Sequence, residues 1–410
     1  MLISGMSGNE IFCLAQKGLF PGEIAVGNSV RSMGVGGSIG ASFQSMATGE
    51  IGAITQLISE GRHAAISRME DEAKRRGAIG VTGVISELTT LAGYTEFLSQ
   101  GTGVHVQSVQ PGQPFFSTSA SGTELYCHID AGYQPVKFVM GNVAYALGIG
   151  GGIMGSLRTM AQGEVTEYSQ LYNGIRHLAL QRLQAEAAAL GANSVVDIRL
   201  DMLPFGPAGT IELLMTGTAS YNPRLSQGPV APDQVVTSEL TGEELWNLAK
   251  LGFVPQRLVM ATSVYSLGIA AGIGTMFKSM SRGELPEVTH LVYKARENCL
   301  DLIRREAQAI GAERVIGNKL IIRELGPGLI EIIAVGTAIR PHPNSAPETP
   351  HLIPQAVIQD RDMMNLGGAL PLVIGARARG APRAIGCLIV LVMIIVGAIV
   401  AVFIGLLSGN

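Results

Sequence analysis

The sequence predicts an α+β protein: three tandem copies of one unit, each a short helix, a strand, a glycine-rich segment, a long helix and a β-hairpin, followed by one transmembrane helix. Three observations carry this expectation. A set of landmark residues recurs three times at constant spacing. Between the landmarks, the apolar pattern switches between helical and extended periods. Residues 384–407 then run without a single charge.

Each copy opens on a capping box, in which a hydroxyl and a carboxylate satisfy free amides at a helix start. The boxes are Ser7 with Glu10, Ser121 with Glu124, and Thr241 with Glu244. Eight residues after each glutamate stands Gly18, Gly132 or Gly252, suited to a left-handed helix end. Three residues later comes Pro21, Pro135 or Pro255, which stops the helix. Apolar runs at Ile24–Val30, Val136–Tyr145 and Arg257–Tyr265 are expected to be strands. Glycine-rich stretches open at Gly34, Gly148 and Gly268 and close fifteen residues on with Gly49-Glu50, Gly163-Glu164 and Gly283-Glu284. Twenty-eight residues beyond those glycines come the Gly-Ala pairs at Gly77, Gly191 and Gly311, and Gly-Thr at Gly101, Gly217 and Gly336 ends each unit. Spacings of eight, three, fifteen and twenty-eight in all three copies do not arise by chance.

The segment between Gly-Glu and Gly-Ala is expected to be a long helix. In the second copy Tyr168, Leu171, Tyr172, Ile175, Leu178, Ala179, Leu183, Ala187 and Leu190 form one stripe, and Arg176, Gln181, Arg182, Gln184 and Glu186 fall on the opposite face. A hairpin follows, Ser194–Leu200 and Ile211–Tyr221 in the second copy and Arg314–Arg323 and Leu329–Ile339 in the third. The units thus cover residues 7–106, 121–221 and 241–340. Pro341–Arg383 holds seven of the nineteen prolines and is expected to be a semi-extended, mobile linker.

Residues 384–407, as a helix, rise about 36 Å, enough for a hydrocarbon core of about 30 Å. Arg377, Arg379 and Arg383 precede this span, so the positive-inside rule makes the chain a single-pass, C-terminally anchored protein with its bulk cytoplasmic. The composition agrees: 47% hydrophobic, only 15% charged. A net charge of −3 argues against nucleic acid as a partner. Four cysteines in 410 residues make no disulfide framework.

The Gly-Glu pair, the long helix with an arginine near its middle (Arg62, Arg176, Arg296), Leu-Gly-Ala-Asn-Ser-Val-Val at Leu190–Val196 and Gly-Thr-Ala at Gly217–Ala219 resemble the YbjQ family, whose label is heavy-metal binding. The resemblance implies a small α/β unit that assembles as a pentameric ring, and no established reaction. If each unit forms a ring with its equivalents, five chains give three stacked tiers.

Candidate chemistry is sparse. Gly150, Gly152 and Gly155 fit a phosphate-loop pattern, but the third copy has Ala270, Gly272 and Thr275 there, and the first has Gly36, Ser38 and Ala41. Close packing explains the glycines better than nucleotide binding or contact with lipid. For a metal, His63 and His177 match in position, as do Cys13 and Cys127, whereas the third copy has Glu297 and Asn247. No CxxC, HxxxH or HExxH occurs, so a ring gathering one ligand per subunit is the route left to a metal site. Glu50, Glu164 and Glu284 recur where a carboxylate meets a helix dipole. Arg62, Arg176 and Arg296 recur in mid-helix, able to pair with a carboxylate across a subunit boundary. Both sets are taken as structural. The expected function is a membrane-anchored, ring-forming scaffold with no catalytic residues and no cofactor; the alternative is a sensor or buffer for a metal or small ligand.

Overall fold

A computed structural model describes residues 2–32, 49–91, 94–109, 112–146, 163–205, 210–266, 286–326 and 329–357. The glycine-rich stretches, Glu284 and the span 384–407 lie outside the described residues. Among the described residues no helix is long and apolar enough to cross a membrane.

The molecule is α+β, and one pattern is laid down three times. The first unit comprises α1 (Gly8–Ala15), β1 (Leu19–Arg31), β2 (Gly49–Glu50), α2 (Gly52–Arg75), β3 (Gly80–Leu91) and β4 (Tyr94–Val106), followed by a short β5 (Phe116–Ser117). The second comprises α3 (Gly122–Asp130), β6 (Gln134–Ala146), β7 (Gly163–Glu164), α4 (Thr166–Ala189), β8 (Ser194–Pro204) and β9 (Ile211–Tyr221), then β10 (Val236–Thr237). The third comprises α5 (Gly242–Lys250), β11 (Phe253–Ser266), α6 (Pro286–Ala309), β12 (Arg314–Gly326) and β13 (Leu329–Pro341). A last turn, α7 (Pro354–Val357), follows.

The capping boxes form at all three short helices, with Ser7, Ser121 and Thr241 accepting from the Glu10, Glu124 and Glu244 amides. Gly18, Gly132 and Gly252 take φ of 70°, 91° and 80°, a left-handed exit that a side chain would oppose. The strands begin earlier than the apolar runs, because the prolines sit at the register shifts Pro21/Ile24, Pro135/Lys137 and Pro255/Arg257. A residue without an N–H is tolerated where the ladder is already broken.

Each unit has a three-stranded antiparallel sheet: β1-β4-β3, β6-β9-β8 and β11-β13-β12. Two further strands cross between units. β2 leaves the first unit and pairs with β6 of the second; β7 leaves the second and pairs with β11 of the third. Glu50 and Glu164 therefore lie on extended backbone ahead of the helix, not in its first turn, because this stretch reaches out to the neighbouring sheet. β5 and β10, just before the short helices, pair in parallel with β3 and β8 of the preceding unit.

The long helices are buried on two sides rather than along one stripe. In α4 the buried set includes Tyr172, Ile175, Ala179 and Leu183, and also Arg176 and Gln184 from the face expected to be polar, while Leu190 is exposed. One side meets its own sheet; the other meets the next unit's sheet. Contact is close where a strand carries glycine: a Cβ at Gly141 would collide with the Ala179 carbonyl and the Leu183 amide of α4. The short helices make a second layer, with Cys13, Cys127, Leu245 and Trp246 in one apolar cluster.

Pro341–Val357, expected to begin a mobile linker, is docked on this layer. Ser345 Oγ donates to the Ala249 carbonyl (3.0 Å), Arg224 to the Ser345 carbonyl (2.9 Å), and Thr349 Oγ1 to buried Asp130 (2.6 Å). Asp130 also accepts from Lys17 of the first unit (2.6 Å) and Trp246 Nε1 of the third (2.7 Å). Burial alone would raise its pKa, but these donors outweigh it and hold the carboxyl below the usual range.

Replacing Gly141 by alanine is expected to lower unfolding free energy by about 1–3 kcal/mol, because the helix must shift off the strand. Urea denaturation of the two proteins measures it.

Candidate functional site

The distinctive chemistry lies at the junctions between units. Arg62 of α2 is fully buried, and Glu212 on β9 of the second unit is fully buried opposite it. Its Nε and Nη2 donate to the two carboxylate oxygens at 3.0 and 2.7 Å, while Nη1 donates to the Ser86 carbonyl at 2.9 Å. The second junction repeats the arrangement. Arg176 of α4 donates from Nη2 to Glu331 of β13 at 2.7 Å and from Nη1 to Thr262 Oγ1, again with both charged groups buried. A guanidinium suits this role because it stays ionised and can present two parallel donors to a carboxylate.

Backbone edges are closed in the same place. Asn142 donates to the Thr55 carbonyl (3.1 Å) and Thr55 Oγ1 accepts from the Ala144 amide (2.9 Å) at the first junction. At the second, Asn173 donates to the Thr262 carbonyl (2.9 Å) and Ser169 Oγ accepts from the Val264 amide (2.9 Å). Glu50 pairs across the first junction with Arg182 (2.8 Å). Glu164 accepts from Ser169 and Ser263. Arg296, third of the recurrent arginines, is exposed.

The weak metal candidates fall in two places. His63 and His177 each face one carboxylate of the next unit, Glu186 at 3.2 Å and Glu306 at 3.5 Å. The hydrogen bonds to those carboxylates raise both imidazole pKa values, outweighing desolvation. An open cleft of about 290 Å³ beside His177 is lined by Gln181, Gln184, Asp233, Arg257 and Glu306. Cys13 and Cys127 are buried in the short-helix layer; burial, reinforced by nearby glutamates, pushes the Cys13 thiol up to about 11 and raises that of Cys127 further. Such thiols stay protonated at neutral pH and are poor metal ligands. Among the described residues no group of three or more His, Cys, Asp or Glu is placed to hold a metal ion.

Sequence reasoning missed the carboxylate half of the junctions. Its signal was present: Glu96, Glu212 and Glu331 each stand five residues before the closing Gly-Thr, inside otherwise apolar strands. It also missed Asp197, buried with φ 54° where the other units have Gly83 and Gly317. Burial pushes its carboxyl up to about 6 despite Arg199, whose Nη2 lies 3.2 Å away, and it accepts from Ser119 at 2.9 Å.

These features define a chain of α+β units joined helix-to-sheet through buried ion pairs. The family described as "putative heavy-metal-binding", YbjQ, matches residues 22–107, 131–222 and 254–342, and the chain belongs to it. An encapsulin nanocompartment protein of Mycobacterium tuberculosis is 29% identical over 231 residues, 55% of this chain and 86% of that protein. A UPF0145 protein of Methanocella arvoryzae is 41% identical over 91 residues (22% and 75%), and one of Picrophilus torridus 36% over 109 (26% and 87%). No solved structure matches at a significant level.

Removing one member of a buried pair strands the other. Arg62→Met is expected to cost about 3–5 kcal/mol, whereas Arg62→Met with Glu212→Leu recovers most of that loss; chemical denaturation of both variants checks it. The histidines give a pH signature. Their folded pKa values are raised, so their contribution is complete below the ordinary imidazole pKa and is lost as pH climbs through the raised one. The Tm gap between wild type and a His63→Gln/His177→Gln variant should be widest below the ordinary imidazole pKa and narrow as pH rises through the raised values.

Proposed function

We propose that this protein is a self-assembling scaffold subunit, tethered to a bilayer by residues 384–407 with its bulk on the cytoplasmic side, and with no catalytic step of its own. The observation that carries the reading is where the buried charge lies. Arg62–Glu212 and Arg176–Glu331 fasten one unit to the next, and all four charged groups are fully buried. The relative named as an encapsulin nanocompartment protein supports an assembly role, and none of the three relatives' names states a reaction. The membrane tether rests on the uncharged span itself and the arginines before it.

Within one chain the units sit side by side through the same helix-to-sheet contact. This favours one arc per chain over stacked tiers, because a tiered ring would need the same faces for contacts with other chains. The reading needs no cofactor and no nucleic acid.

Native mass spectrometry of the full chain in detergent should show a particle of several 43.0 kDa chains. The full chain should also float with liposomes, and a version ending at Arg383 should not. A single-chain mass would overturn the assembly reading, and flotation of the shortened protein the tether.

A further inference from the structure

The two internal junctions are built alike, and a matching half of the same junction stands exposed on the first unit and on the third. In the first unit the outward face of β1 lies uncovered: Ile24, Val26 and Val30 are 38%, 43% and 57% exposed. Their counterparts Phe138, Met140 and Ala144 are buried, as are Leu258, Met260 and Val264. In those units the preceding long helix covers the face. On the same face of the first unit, Glu96 stands where Glu212 and Glu331 receive their arginines; its polar contact is a 3.5 Å approach from Asn28.

The third unit holds the opposite half. Arg296 of α6 matches Arg62 and Arg176 but is exposed, and Tyr293, one turn before it, is 60% exposed. Beside α6 a groove of about 380 Å³ runs along β12, lined by Ile303, Ala307, Arg314 and Val315 among others. In the first unit the corresponding place is taken by β5, with Phe116 opposite Gly80 and Ser117 opposite Val81; in the second by β10, with Val236 opposite Ser194 and Thr237 opposite Val195. Those strand residues lie five and four positions before a helix cap. Counting back from Ser7 gives Leu2 and Ile3, 53% and 63% exposed.

The short helices agree. Gly122 packs against Glu10, and Gly242 against Glu124, so closely that a Cβ would lie 2.6 Å from the Glu10 Cβ and 2.5 Å from the Glu124 carbonyl. Gly8, at the same position, meets nothing within 4 Å, and Glu244 is exposed.

We propose that the third unit of one copy receives the first unit of a second copy in a head-to-tail contact built like the two internal junctions. The inference rests on the scaffold reading and names its contact. Arg296 pairs with Glu96, α6 covers the Ile24–Val30 face, Leu2 and Ile3 add a short parallel strand at Arg314 and Val315, and Glu244 closes over Gly8. One substitution falls between the halves. Where the inner junctions set His63 and His177 against Glu186 and Glu306, the outer one sets Glu297 against Glu72. The first unit supplies Arg76, bonded to Glu72 at 2.6 Å, in place of the histidine's charge. A contact of this kind is heterologous and propagates into a closed ring or an open filament.

The test uses the full chain in detergent, with particle mass read by light scattering and native mass spectrometry. Arg296→Glu and Glu96→Arg are both at solvent-accessible positions, so each variant should keep the wild-type circular dichroism. Each should raise the concentration at which assemblies dissociate by at least about tenfold, and mixing the two in equal amounts should restore assembly, because each repairs the other's end. Leu2→Ser with Ile3→Ser should weaken assembly without changing the fold. If Arg296→Glu leaves the particle mass unchanged, or the equal mixture stays dissociated, the head-to-tail contact is wrong and the scaffold reading stands. If wild type is a single chain, both fall.

Discussion

The architecture depends on long helices that are each held between two sheets. Each long helix of the first two units is pressed between its own sheet and the next unit's, and near its middle it carries a guanidinium that cannot reach water. Taking such a charge from water costs several kcal/mol unless a carboxylate and further acceptors surround it. Glu212 with Ser86, and Glu331 with Thr262, supply that surrounding. Sliding a long helix by one turn along the sheet it faces would carry its guanidinium away from that carboxylate, so the ion pairs fix register as well as contact.

Much of the fold was legible because repetition exposes it. Capping boxes, left-handed glycines and the Gly-Ala ends are local signals whose physics acts within a few residues, and three copies at equal spacing reinforce one another. The helix faces were misjudged for a nonlocal reason. An amphipathic pattern assumes one core and one solvent side, whereas α4 meets two sheets, so Arg176 and Gln184 are buried on the side expected to be wet. Glu50 and Glu164 were expected to meet the helix dipole at the helix start; pairing with a neighbouring sheet edge took precedence just ahead of it, and no local pattern announces an edge contributed by another unit. Asp197 was overlooked since a single aspartate is unremarkable until aligned with Gly83 and Gly317, whose φ of 65° and 67° show what that position demands.

The distribution of polar groups separates construction from chemistry. Cysteines that a metal reading would favour are buried among Tyr126, Leu245 and Trp246 and hold their protons. The histidines sit at junction rims, each occupied by one carboxylate. Groups with perturbed protonation thus gather where parts meet, as expected for a protein whose specificity is directed at its own surfaces.

Asp130 gives this design a further property. Its carboxylate accepts at once from Lys17, Trp246 and Thr349, groups that belong to the first unit, the third unit and the segment beyond them. A linear array of repeats can fray from its termini, each element melting with little regard for those beyond its neighbours. Here a single buried oxygen pair ties beginning, middle and end together, so loosening any one of them exposes an anion that the others were holding. The described body should therefore lose its structure as one cooperative event, and a partly unravelled form has little opportunity to accumulate.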